Sequence, residues 1–173
     1  GLEVRALALG EAELDQLLAR QHARATLLAG FTSTRDVGTY IAWADRALRD
    51  EINAGRIIGP RVQVAGFYLT IPGGGGDLVI PGYPESVIPA QVRMGVARGP
   101  DEFRRKAELA AAGGADFMKL IASGAVLAFG GVPGEPEMTP EEIAAVVEVA
   151  RRHGMKVSAH AHGARSIREA ILS

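Results

Sequence analysis

Three residues stand where an apolar stretch has no structural need of them. Lys119 lies within Ala115-Asp116-Phe117-Met118-Lys119-Leu120-Ile121, and His160 and His162 close the run from Met155 to Ala161. Alternation at a strand end puts both imidazoles on one side of a sheet. Gly163 removes bulk just beyond them. Neutral imidazole is a good ligand for zinc and similar ions, and a second ring can polarise a substrate carbonyl. A lysine in an apolar strand is costly to bury unless it is paired, modified or catalytic. Lys119 therefore has three readings: a structural amine that snorkels or pairs with a carboxylate, a Schiff-base amine in a barrel lyase, or a lysine carboxylated by carbon dioxide that bridges two divalent metals. The histidine pair favours the metal, with satisfied core histidines as the alternative.

The other chemistry-bearing residues read as support. His153 precedes Gly154 in a last helical turn, where a cation complements the helix dipole, and His22 sits on a solvated helix. Gly73-Gly74-Gly75-Gly76-Asp77 has backbone amides that can cradle an anion, but no Gly-Lys-Ser/Thr follows, so a flexible substrate loop is the better expectation. Arg35-Asp36 ends a strand and reads as an internal ion pair tying strand ends together, with a site element as the alternative.

These residues need a frame. Residues 11–29 carry apolar positions at helical spacing, and Gly30 stands where a C-cap belongs. The pattern then predicts a strand at 31–37, a helix at 40–53, a strand at 60–66 and a Gly/Pro-rich connection over 70–99. A helix at 100–112, the Lys119 strand, a second loop at 123–137, a helix from Thr139-Pro140-Glu141-Glu142, the His160 strand and a helix at 164–172 follow. Helices alternating with four mostly apolar strands argue for a parallel α/β sheet covered on both faces. Four βα units make a small open sheet or half of an eight-stranded barrel. Both long loops follow strands, and so lie on the face that carries Lys119 and the histidines.

Composition removes several classes. The chain has 173 residues, enough for one domain, and a net charge of -1, which gives no reason to expect nucleic acid or an acidic membrane as partner. There is no cysteine, so disulfides, thiolate metal sites and cysteine nucleophiles are excluded. No apolar run approaches the roughly 20 residues that span a bilayer. The opening Gly1-Leu2-Glu3-Val4-Arg5 is unlike a signal peptide, which leaves a cytoplasmic location as the default.

Taken in order, Leu28-Ala29-Gly30-Phe31-Thr32-Ser33-Thr34-Arg35-Asp36-Val37-Gly38, Gly59-Pro60-Arg61-Val62, Gly113-Gly114-Ala115-Asp116-Phe117-Met118-Lys119 and Ala159-His160-Ala161-His162-Gly163 resemble the amidohydrolase superfamily, in its imidazolonepropionase-like and prolidase-like branch. The resemblance implies a partial (β/α)8 TIM barrel and hydrolysis of an amide or dipeptide-like C–N bond in a small molecule, with two divalent metals, usually zinc. It makes Lys119 the carboxylated bridging ligand of the fourth strand, His160 the metal ligand of the fifth and His162 the group that orients the substrate carbonyl. Many relatives carry His where this chain has Gly75. The family's first-strand His-x-His pair and its sixth-strand His and eighth-strand Asp have no counterpart in the 173 residues. The expectation is one incomplete barrel domain over 1–173, strands two to five, which supplies about two of the metal ligands, carries an unmodified Lys119, lacks competent catalysis unless another chain completes the barrel, and forms a homo-oligomer through open sheet edges.

Overall fold

The computed structural model describes residues 12–128 and 131–173. Helix α1 (Ala12–Leu28) precedes strand β1 (Ser33–Asp36), helix α2 (Ala44–Asn53) and strand β2 (Arg61–Val64). After the short strand β3 (Tyr68–Leu69), two single 3-10 turns (Glu85–Val87 and Ala90–Val92) interrupt the long connection. Helix α3 (Pro100–Ala112), strand β4 (Met118–Ile121), helix α4 (Pro140–Arg152), strand β5 (Val157–His160) and helix α5 (Ala164–Leu172) complete the order. All strand pairs are parallel.

The strands form two sheets, β1-β2 and β3-β4-β5, where the sequence pattern predicts one. The reason lies at Gly66. Its φ of +81° breaks the expected 60–66 strand, a backbone turn that suits glycine. The buried carboxylate of Asp45 accepts hydrogen bonds from the Ala65 and Gly66 amides (3.1 and 2.7 Å), which holds the break open. The chain leaves β1 at Val64 and, as β3, joins β4 instead. Asp116 stitches the junction, donating its amide to the Val64 carbonyl and accepting the Val64 amide on its side chain. Trp43, at φ 71°, starts α2 at Ala44 and leaves residues 40–43 outside the helix predicted over 40–53.

Only β4 is buried along its whole length; β1 and β5 are partly exposed because each borders an open sheet edge. One face of β4, Met118 and Leu120, packs on Phe103 and Ala107 of α3 and on Ile143, Val146 and Val149 of α4. Helix α4 begins where Thr139-Pro140-Glu141-Glu142 predicts: Thr139 and Glu142 form a reciprocal capping box, and Glu142 also accepts the Gly99 amide ahead of α3. The other face of β4 belongs to Lys119. Among the described residues, no helix is long and apolar enough to cross a membrane.

Candidate metal centre

Strand register brings the predicted residues together. Lys119 pairs with Tyr68 on one side and Ser158 on the other, and Ile121 pairs with His160. Side chains two apart share a face, so Lys119 and His160 project on the same side, away from the helix-packed core. Lys119 is 8% exposed and, among the described residues, has no hydrogen-bond or ionic partner. Burial pulls its amine below the ordinary lysine range. The paired structural lysine is the reading this geometry least resembles.

His160 is held for a further bond. Its ring lies beside the backbone of Gly124, and its Nε2 is buried with no hydrogen-bond partner. In the tautomer that leaves Nε2 unprotonated, that buried nitrogen offers an unused lone pair to a metal. Burial depresses the basicity of this ring first, and the nearby charges of Lys119 and His162 add to it, which favours the neutral, coordinating form. The His162 ring stands 4.8 Å from that of His160, centroid to centroid, at 64°, and is exposed.

The orphaned imidazole nitrogen of His160 is of a donor type that suits a divalent cation, whereas the Lys119 nitrogen suits one only once it carries a carboxylate. The donor count stops there: among the described residues, no three His, Asp or Glu side chains gather to hold a metal.

The glycine-rich loop departs from both expectations for it. Its amides are already engaged: Gly73 to Asp77, Gly74 to the Ile71 carbonyl, Gly75 to Glu137 and Gly76 to Thr70 Oγ1. An anion would find no free donor among them. Residues 74–78 are buried, and Asp77 is bound through two hydrogen bonds by Arg93 (2.9 and 2.8 Å), so the loop is packed, not a loose flap.

Glu137 is the residue that sequence reasoning misses. Its carboxylate accepts the Gly75 amide through both oxygens (2.9 and 3.1 Å), joining the loop after β3 to the loop after β4. Burial raises its pKa, and the Gly75 amide partly opposes the rise. The available signal was an acidic residue within a Gly/Pro loop directly after the lysine strand.

The supporting residues behave as structure. His153 bonds Glu108 at 2.7 Å between α4 and α3, and His22 is exposed. Arg35 turns to Gln63 (3.0 and 3.3 Å) and lies over the Phe117 ring at 4.9 Å, and Asp36 accepts the Gly38 amide.

Parallel strands with intervening helices, carrying a buried lysine and paired histidines at strand ends, define an α/β scaffold of the barrel-like kind that places functional groups at the C-terminal strand ends. Residues 10–173 match the model of the amidohydrolase family, and the chain belongs to that family. It is 33% identical over 153 residues to ochratoxinase from Aspergillus niger, covering 82% of this chain and 31% of that protein. A solved Xaa-Pro dipeptidase with methionine bound in its active site superposes with a TM-score of 0.82 at 36% identity, over 93% of this chain and 39% of the dipeptidase. The structure of A. niger ochratoxinase gives a TM-score of 0.77 at 29% identity, over 91% of this chain and 38% of that one. The prolidase-like resemblance is thus borne out, and the chain spans between a third and two fifths of the solved relatives.

Proposed function

We propose that this chain carries the central part of the active centre of a metal-dependent amidohydrolase, within a single domain of four βα units that is part of a (β/α)8 barrel. The substrate class is a small molecule with an amide or dipeptide-like C–N bond, as the names of the ochratoxinase and dipeptidase relatives suggest. The observation that carries the reading is the buried, unpartnered Nε2 of His160 beside the unpartnered amine of Lys119.

When bound, a divalent cation such as zinc makes water acidic enough to act as a nucleophile near neutral pH and draws electron density from the scissile carbonyl. The chain's own residues do the rest. His160 would present its buried, unpartnered Nε2 to the cation. Lys119, kept free of counter-ions, would attack carbon dioxide with its nitrogen lone pair and lose a proton, giving a carbamate with two oxygen donors. Without metal to stabilise it, the carbamate reverts, so the metal-free chain carries an ordinary amine. The exposed ring of His162 is placed to hydrogen-bond a substrate carbonyl.

Two donors are fewer than a hydrolytic centre needs, so turnover requires donors from strands other than those described here. The open edges of β1 and β5 offer backbone groups to such strands or to a second copy in a homo-oligomer. Calorimetric titration with zinc tests the reading. The chain is expected to bind zinc, and His160→Ala to weaken binding by about tenfold or more, roughly 1.4 kcal/mol. Equal affinity for both proteins overturns it, and a carbonyl compound trapped on Lys119 by borohydride regardless of chelator would put a Schiff base in its place.

A further inference from the structure

The turn that leaves β4 reaches both histidines through different groups. The Gly124 backbone adjoins the His160 ring. The preceding residue, Ser123, is fully buried, and its Oγ accepts the backbone N–H of His162 at 2.9 Å across 39 residues of sequence. The turn itself is immobilised. Gly124 donates to the Glu135 carbonyl (3.0 Å) and accepts from Gly134 (3.1 Å), while Glu137 donates to the Ala122 carbonyl (2.9 Å). Ala122 in turn donates to the His160 carbonyl (2.9 Å). One residue past His162, Gly163 presses on the same loop so closely that a Cβ would run into the Gly134 carbonyl oxygen.

His162 is thus pinned by its backbone alone. Its side chain is exposed, and the ring contact with His160 is its one described partner. The Cα–Cβ bond that carries such a ring is fixed by the backbone, and the staggered rotamers leave it only a few directions. An amide that loses its acceptor in a partly buried place turns toward another or toward water, and the ring moves with it. A buried hydroxyl likewise needs a partner, and this amide supplies it.

We propose that Ser123 is a positioning residue: by accepting the His162 amide, it sets the His162 ring against His160 and so aims it at the substrate carbonyl. The aim at the carbonyl rests on the metal-centre reading above; the positioning of the ring does not.

The test is NMR on the chain with Ser123→Ala, Ser123→Thr and Ser123→Cys, alongside zinc calorimetry. In Ser123→Ala the cross-peak between the His160 and His162 rings is expected to vanish and the His162 amide to exchange about fivefold faster. Zinc affinity should stay within about twofold of wild type, since the hydrogen bond of the Ser123 hydroxyl goes to the His162 backbone and not to His160 or Lys119. Ser123→Thr keeps an acceptor and restores the cross-peak, which a mere packing role would not require. A full-strength cross-peak in Ser123→Ala, or its loss in both the Ala and Thr variants, overturns the proposal. If Ser123→Ala does not fold, Ser123→Cys decides: its weaker acceptor should lower the cross-peak in a folded chain, and undiminished intensity overturns the proposal. Wild type that binds no zinc while Ser123→Ala still loses the cross-peak overturns the metal reading and supports the positioning role.

Discussion

His160 and His162 are separated by one alanine, and their rings meet edge to face at 4.8 Å, yet they live in different environments. The Nε2 of His160 is buried and without a partner, whereas His162 is exposed. That division suits two tasks: a buried lone pair binds a cation, and an exposed ring meets a substrate. The same strand end holds both environments because β5 stops at His160 and the next residues turn away under the hold of Ser123.

Lys119 should cost the fold stability. An amine buried without a counter-ion is held there against its solvation, and a methionine of similar length would bury the same stem at no such cost. Lys119→Met is expected to be more stable than wild type by about 1 kcal/mol at neutral pH, raising Tm by about 2–4 °C for a chain of this size. It should also lose zinc affinity. A variant less stable than wild type would show that the amine has a stabilising partner.

Asp45 makes stability depend on pH with a definite sign. Its carboxyl is buried, and desolvation raises its pKa against the opposing amides of Gly66, Arg46 and Ala65 and the charge of Arg49. A folded value above the unfolded one means that the native state binds the extra proton, so this contribution is fully present below about pH 4 and is lost as pH rises through the folded value. Asp45→Asn keeps an acceptor oxygen for the Ala65 and Gly66 amides and does not titrate. Denaturant unfolding across the acid range should show wild type losing ground to Asp45→Asn as pH rises. Wild type gaining on the variant over that window would contradict the assignment.

Glu137 ties two loops together through one amide. Glu137→Ala leaves the buried Gly75 N–H without its acceptor and should cost about 1–3 kcal/mol. Glu137→Gln retains an oxygen in the same place and should cost much less. Hydrogen exchange at Gly75 separates the two, faster in the alanine variant and near wild type in the glutamine variant. Equal exchange in all three proteins would mean that the loop is held without the carboxylate.

What was legible in the sequence was local. Thr139 and Glu142 lie within one turn, so their capping box can be read from residue types alone. Lys119, His160 and His162 stand out because apolar strands make polar residues conspicuous. The unread features join distant segments. Glu137 reaches Gly75 across 62 residues, Ser123 reaches His162 across 39, and Asp45 meets Gly66 across 21. The last of these divides the predicted sheet in two, and no periodicity within 60–66 announces it. The glycine run misled for a related reason: its amides looked free until the acceptors at Asp77, Thr70 and Glu137 folded onto them. Donors for the proposed metal centre other than Lys119 and His160 have no signature in the described residues.

The central claim is that the free lone pair of His160 Nε2 is a metal donor. Nitrogen-15 NMR of histidine-labelled protein during zinc titration tests it directly, because the signal of an unprotonated ring nitrogen moves when it coordinates. The account predicts that Nε2 of His160 shifts with zinc while the rings of His22 and His153 stay in place, and that Lys119→Met diminishes the effect. An Nε2 signal of His160 that stays unmoved while zinc binds elsewhere on the chain would contradict it.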